Sequence, residues 1–211
     1  MANDFAQRYF NAIQNAWSPF ATTHRIIPFC TPVLSPASAV VIGTDHSDFV
    51  DGGGERSERI ADELASAVPK ESTFLVHDHK FARGLWAVCD RAGIRIDETW
   101  MGSNRCAVQT GPGGLAEIKD DPNFSDCQTK MDRILRDLLA EIVPRNLILV
   151  GKYAIRLYYA SAATASIASL KPLDITFPGT DAQTRIIPLP HPSRATFWQP
   201  AADRIFRDFV R

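Results

Sequence analysis

Two short runs of apolar residues constrain the fold of this 211-residue chain more than any other feature. The runs are AVVIG at Ala39–Gly43 and NLILV at 146–150, and each leads into a segment with polar residues. Short runs that are apolar at every position are typical of parallel strands covered on both faces. Because helix-like segments alternate with them, the pattern predicts βαβ units and an α/β fold.

The segments around these runs carry apolar residues at three- and four-residue spacings, which is typical of helices that bury one face. We predict helices over 4–17, from the glycines at 52–54 to about residue 68, over 81–92, over 130–143, from residue 152 onwards and over 198–209. We predict further strands over 98–103 and 185–189, and residues 72–78 fit either a strand or a loop. The chain is therefore expected to form a three-layer α/β/α fold with a short, mainly parallel central sheet.

Composition bounds the class of protein. A length of 211 residues allows one large domain or two small ones, and 45% hydrophobic residues allow a substantial core. We predict a single domain over residues 1–211, with an N-terminal helix and extended lead-in over 1–38. The formal net charge of −1 argues against a surface that binds polyanions everywhere, and it leaves a local basic patch open. The four cysteines form no C-x-x-C pair, and the N-terminus has no long apolar run. We therefore expect a reduced, cytoplasmic protein with no membrane segment.

Ligands of parallel sheets bind beyond the carboxyl ends of the strands. Four segments take such positions: GTDHSD at 43–48, GSNRC at 102–106, GKYA at 151–154 and HPSR at 191–194. In the last of them, His191 lies between Pro190 and Pro192. Proline restricts φ and donates no backbone N–H, so this imidazole is expected on a stiff turn. The sequence therefore predicts that these segments converge on one edge of the sheet.

These four segments resemble, in the same order, the motifs of the uracil-DNA glycosylase superfamily. GTDHSD puts Asp45 where the family has its catalytic Asp or Asn, and GSNRC puts Asn104 where an Asn reads the base. GKYA is similar to the family's G-S-Y-A motif, and HPSR matches the start of its H-P-S-P-L motif through His191. The resemblance spans the chain from the first strand to its end, and it implies a uracil-DNA glycosylase-like fold.

The resemblance also implies an activity: hydrolysis of the N-glycosidic bond of uracil, or of another deaminated or damaged base, flipped out of DNA. This reaction develops a cationic sugar and an anionic base, and each needs a preorganised opposite charge or donor. Asp45 would stabilise the cation and orient or deprotonate water, His191 would donate to the leaving base, and Asn104 would pair with the base edge. The expected partner is DNA with such a base, bound by a monomer. The other site residues implied are Phe49 for base stacking and Ser193, Arg194, Lys152 and Ser103 for DNA binding.

Departures from the family pattern keep a second interpretation open. The Pro-Tyr of the first motif is replaced by His-Ser at 46–47, and the wedge position after H-P-S is Arg-Ala at 194–195. Phe81 competes with Phe49 as the aromatic residue that would stack on the base. A member of the superfamily with these changes would bind nucleic acid or a base without excision. Asp45 and His191 argue against that reading, since binding alone does not require the pair.

Metal chemistry supplies a third interpretation. The thermostable branch of the family carries an iron–sulfur cluster on four cysteines, two of them close together near the N-terminus. Cys30 stands alone in that part of this sequence, so we expect no cluster and no other cofactor. A metal-dependent hydrolase remains possible from residue types alone, because Asp45, His46, His77 and His79 are types that ligate metals.

Overall fold

A computed structural model describes residues 2–45, 54–76, 80–111, 113–160, 167–191, 203–205 and 207 of the chain. Five strands form one sheet there: β1 Ala39–Gly43, β2 Trp100–Asn104, β3 Asn146–Val150, β4 Leu173–Thr176 and β5 Gln183–Leu189. The spatial order is β2-β1-β3-β5-β4, and all neighbours are parallel except β4, which runs antiparallel to β5. The prediction of an α/β fold with a mainly parallel sheet is confirmed.

The side chains of the buried strands alternate between two apolar clusters, one on each face of the sheet. Val40 and Ile42 of β1 belong to a cluster with residues of α1 (Ala2–Ala16) and α5 (Phe124–Ile142). Val41 belongs to a second cluster with residues of α2 (Glu55–Ser66) and α4 (Lys80–Arg91). Because helices cover both faces, every residue of β1 and of β3 is buried.

The edge strand β4 was not predicted from the sequence. It has only four residues, LDIT, none of them buried, and Leu173 is 41% exposed. Apolar and polar residues do alternate along it, but a segment this short gives a weak periodic signal. β4 pairs with β5 in antiparallel orientation because the chain turns back between the two strands, and not because β4 buries apolar side chains.

Two predicted segments differ from the structure. The prediction of a strand or loop over 72–78 is wrong at Thr73–Val76, which form one helical turn, α3. This turn is anchored by a hydrogen bond from Thr73 N–H to the Cys30 carbonyl, 2.9 Å long, and a single turn is too short to show helical periodicity. The helix predicted over 130–143 begins earlier, at Phe124, whose ring packs edge-on against Trp17 with ring centroids 5.8 Å apart, and it ends at Ile142.

The helix predicted from residue 152 begins there but is short. α6 comprises Lys152–Ile155 only. The closing helix predicted over 198–209 lies largely outside the described residues, of which 203–205 and 207 are helical. Asp203 pairs with Arg91 of α4 at 3.0 Å, so this part of the chain packs on the α4 side of the sheet. Within the described ranges, no helix is both long and apolar enough to cross a bilayer.

Candidate active site

The four parallel strands bring the described residues of the predicted motifs to one edge of the sheet. The register pairs Gly43 with Asn104, and Val150 with Leu189. Residues just beyond these pairs therefore succeed one another along the edge in the strand order β2, β1, β3, β5. Asp45 follows β1 and His191 follows β5, with β3 between them. At about 4.8 Å per strand, their backbones are separated by about 10 Å across the sheet.

The backbone that leads to Asp45 is held by β2 beyond the end of the regular strand. Arg105 N–H donates to the Gly43 carbonyl over 3.0 Å, and Cys106 N–H donates to the Thr44 carbonyl over 2.9 Å. Thr44 Oγ1 lies 3.4 Å from the Val150 carbonyl of the strand on the other side. Because hydrogen bonds on both sides fix Thr44, Asp45 leaves the sheet at a defined position.

The Asp45 carboxylate is partly buried and anchored through one oxygen. Thr110 Oγ1 donates a hydrogen bond to Oδ2 over 2.7 Å, and Gly114, with φ of +60°, lies against the same oxygen. Burial raises the pKa of Asp45 above its ordinary value, the hydrogen bond from Thr110 lowers it, and the charge of Glu117 raises it. Of the described residues, only Thr110 donates a hydrogen bond to this carboxylate. Within the described part of the chain, Oδ1 is therefore left for water or a ligand.

Asn104 lies at the end of β2, directly beside Gly43. A methyl group added to Gly43 would overlap with Oδ1 of Asn104, so glycine is required for the amide to lie over the end of β1. Asn104 is partly exposed, whereas the preceding Ser103 is buried. The amide therefore sits at the boundary between the sheet and the solvent, next to the segment that carries Asp45.

His191 packs over the end of β3. Gly151 ends that strand with φ of +89°, and a Cβ at this position would lie 3.8 Å from Cβ and Cδ2 of His191 and 2.8 Å from Thr44 Oγ1. The His191 ring also meets the ring of Phe81 edge-on, with centroids 5.8 Å apart. A residue from the first turn of α4 thus fixes one side of the imidazole, and the missing side chain of Gly151 makes room for the other.

Behind the edge, an arginine network joins β2, α5 and α6. Arg105 donates to both carboxylate oxygens of Asp132, over 2.8 and 2.6 Å, and to the Tyr153 carbonyl over 2.6 Å. Its guanidinium also lies over the Tyr153 ring, 4.8 Å from the centroid. Gln128 donates to Asp132 over 2.7 Å and accepts a hydrogen bond from the Tyr153 hydroxyl. The network ties the segment after Asn104 to the helix after Gly151.

The glycine loop, residues 110–117, lies beside Asp45. Glu117 accepts hydrogen bonds from the N–H groups of Gly111 and Gly113, over 2.8 and 2.7 Å. Thr110 and Gly114 of the same loop contact Asp45. The sequence indicated only a turn here, because the contact between Thr110 and Asp45 joins residues far apart in the chain and leaves no local signal. The sequence features that could have pointed to this loop were its glycines and the glutamate that follows them.

The structure gives the remaining predicted residues different places. Lys152 is exposed as the first residue of α6, beside the candidate site. Ser103 is 2% exposed, and its hydroxyl donates to the Pro28 carbonyl over 2.8 Å, so we leave it out of the DNA-binding set. Phe49, Ser193 and Arg194 lie outside the described residues, as do His46, His77 and His79 of the metal hypothesis. Among the described residues, no group of three His, Cys, Asp or Glu side chains is arranged to hold a metal ion.

The fold and this edge define an α/β protein with a polar site at the carboxyl ends of parallel strands. No protein-family model matches the chain. No curated protein shows significant similarity to it. Function therefore has to be inferred from the residues of the site.

Proposed function

We propose that this protein is a DNA glycosylase that hydrolyses the N-glycosidic bond of uracil, or of another deaminated or damaged base, flipped out of DNA. One observation carries the proposal: Asn104 at the end of β2, Asp45 after β1 and His191 after β5 are far apart in sequence but lie at the same edge of one sheet. The resemblance of the four segments to the motifs of the uracil-DNA glycosylase superfamily supports the same reaction.

The surroundings of Asp45 suit a group that activates water. One carboxylate oxygen is held by Thr110, and the other is left for water among the described residues. A general base is most effective when its pKa lies close to the working pH, and burial moves the pKa of Asp45 upward in that direction. In the ionised form the carboxylate would also stabilise the positive charge that develops on the sugar.

Asn104 and His191 suit the two ends of a nucleobase. The amide of Asn104 offers both a donor and an acceptor, which permits pairing with uracil and rejection of cytosine. The His191 ring is supported by Phe81 and by the backbone of Gly151, so it needs little reorganisation when negative charge appears on the leaving base. Phe81 is also the stacking candidate that lies among the described residues.

The two glycines at the strand ends favour a flat ligand. Neither Gly43 nor Gly151 places a side chain at the edge, and among the described residues the nearest groups are Asn104 at the first position and Thr44 and His191 at the second. The segments after β1 and β5 are about 10 Å apart along the sheet edge, which leaves room for a planar base between them. Lys152, exposed at the start of α6, is available for a neighbouring phosphate.

The test is an excision assay with the unmodified protein. Single- and double-stranded oligonucleotides with one uracil, hypoxanthine, xanthine or oxidised pyrimidine are incubated with it, and abasic sites are revealed by alkaline strand cleavage. We expect cleavage at one or more of these bases, unaffected by a metal chelator. DNA binding without any cleavage would support the non-excising interpretation, and cleavage that a chelator abolishes would support the metal-dependent one.

A further inference from the structure

The hydrogen bonds of the glycine loop form a chain that ends on Asp45. Glu117 accepts from Gly111 N–H and Gly113 N–H, which closes the loop on itself, and Gly114 N–H donates to the Gly111 carbonyl over 3.0 Å. The loop so closed presents Thr110 Oγ1 to Asp45 Oδ2. Each link is a hydrogen bond of ordinary length, and three of them are made to a carboxylate group, two to Glu117 and one to Asp45.

Two details show that this contact is tightly constrained. Thr110 is 5% exposed, so its hydroxyl meets Asp45 with little competition from water. Gly114 adopts φ of +60°, and a Cβ there would lie 3.3 Å from Asp45 Oδ2, so a side chain at this position would press on the carboxylate. Substitution at 114 would therefore combine backbone strain with steric pressure.

We propose that Thr110 and Glu117 are positioning residues for Asp45: Thr110 fixes one carboxylate oxygen, and Glu117 holds the loop that carries Thr110 and Gly114 against it. This role rests on the function proposed above. Because Oδ2 is held, the lone pairs of Oδ1 point in a restricted set of directions. A carboxylate needs such a fixed orientation in order to direct a water molecule at the sugar. Neither residue is required to touch DNA.

The two positioning residues act on the ionisation of Asp45 in opposite directions. The Thr110 hydroxyl stabilises the ionised carboxylate and lowers its pKa, whereas the negative charge of Glu117 destabilises it and raises the pKa. Among the described residues, the other titratable side chains that interact with Asp45 are Cys106 and Tyr153, whose pKa values are raised mainly by burial, so both stay neutral at ordinary pH. Glu117 is thus the charged group among the described residues that acts on this carboxylate.

Thr110 and Glu117 act in opposite directions on the pKa of Asp45, and this provides a test. A residue with a merely structural role would not change that pKa. Thr110→Val removes the hydroxyl at nearly constant shape, and Glu117→Gln removes the charge while keeping one acceptor. The titration of Asp45 is followed in DNA-free protein through its ¹³C carboxyl resonance, and the pH dependence of excision is measured in parallel. We expect the Asp45 midpoint and the acid limb of the rate profile to move to higher pH in Thr110→Val and to lower pH in Glu117→Gln.

The excision rates should change in step with these shifts in the pKa of Asp45. Loss of a hydrogen bond to a charged group should reduce excision on the acid limb roughly tenfold in Thr110→Val, and Thr110→Ser, which keeps the hydroxyl, should restore it. Glu117 is exposed, so its electrostatic effect should weaken as salt is added, whereas that of Thr110 should not. Two substitutions serve as matched controls: Thr129→Val on the exposed face of α5, and Glu98→Gln just before the amino end of β2. Neither substitution should change the pH at which Asp45 titrates.

Two results separate this inference from the function it rests on. If the unmodified protein excises no base, the proposed function is wrong, and the titration still shows whether Thr110 and Glu117 act on Asp45. If excision is normal but the Asp45 midpoint stays unchanged in both variants, or moves to lower pH in Thr110→Val, the positioning role is wrong and the glycosylase proposal stands.

Discussion

The two halves of the candidate site are held by different forces. On the side of β1 and β2, Asp45 is held by the Thr110 hydroxyl, and the neighbouring Arg105 is held by the carboxylate of Asp132. On the side of β3 and β5, the contacts that define His191 include ring packing against Phe81 and a close approach to the backbone of Gly151. One half is organised by directional polar contacts, and the other largely by shape.

This difference follows from what each group must do. A carboxylate that is partly removed from water keeps its charge only where donors compensate for lost hydration, so its position is set by hydrogen bonds. An imidazole is less costly to desolvate, and a flat ring is oriented well by packing on its faces and edges. We therefore expect the polar half to respond to substitutions that remove charge or hydrogen bonds and the other half to respond to substitutions that change shape.

The largest effect should come from Asp45→Asn, which tests whether the polar half supplies the chemistry. The amide can still accept the Thr110 hydrogen bond, but it cannot deprotonate water or oppose the charge on the sugar. We expect excision to fall by about 10²- to 10⁴-fold. Single-turnover excision measures this, with circular dichroism to show that the fold is retained. An unchanged rate would remove Asp45 from the mechanism.

His191→Ala tests the other half of the site and should have a somewhat smaller effect. Loss of one preorganised donor to a developing anion typically reduces the rate by about 10²- to 10³-fold. Because the ring is held by packing with Phe81, the substitution should leave the free energy of unfolding within about 1–2 kcal/mol of the original. Excision and urea unfolding are measured on the same preparation, and a stable variant with full activity would contradict the assignment.

Asp132→Ala tests whether the polar half depends on the arginine network for its stability. The substitution leaves Arg105, which is 8% exposed, without its carboxylate partner, and we expect a loss of about 3 kcal/mol in the free energy of unfolding. Asp174→Ala is the matched control, since Asp174 binds Arg185 in the same two-pronged geometry on the surface. That change should cost less than about 1 kcal/mol. Equal losses in the two variants would show that burial of the network is unimportant.

Gly151→Ala tests the importance of shape on the His191 side. Gly151 and Gly179 both have φ between +80° and +90°, at +89° and +84°, but only Gly151 has neighbours in reach of a Cβ. An alanine at either position should be strained by about 1–2 kcal/mol. At 151, Thr44 must also move, so we expect a further loss of about 1 kcal/mol and a reduced excision rate. If the two variants lose equal stability, the close packing at Gly151 does not matter.

The smallest expected effect concerns the free energy of unfolding, which the charge of Asp45 lowers. Its pKa is raised on folding, so the native state holds the proton more tightly than the unfolded state does, and stability is lost as pH rises through this range. Asp45→Asn should therefore be more stable than the original at pH 7, by on the order of 1 kcal/mol, with the gain vanishing below about pH 4. Urea unfolding of both proteins from pH 3 to 8 measures it, and a stability difference that does not change with pH would contradict the prediction.

Sequence periodicity predicted most of the parallel sheet and the larger helices. AVVIG became β1 without a shift, and the helix predicted over 130–143 lies within α5 except for its last residue, Val143. The elements that periodicity missed, α3 and β4, have four residues each. Elements of this length bury too few side chains to produce a recognisable pattern, and their conformation depends on neighbours elsewhere in the chain.

By itself the sequence determined which strand ends carry polar side chains, because a buried parallel strand is marked by its own apolar residues. It therefore placed Asp45, Asn104 and His191 after strands and predicted that they meet. Only the tertiary structure decided which groups surround them: Thr110 on Asp45, Phe81 on His191, and the arginine network behind Asn104. The physical reason is that hydrophobic periodicity is a local property of the chain, whereas a hydrogen bond between side chains 65 residues apart depends on how the loops between them fold.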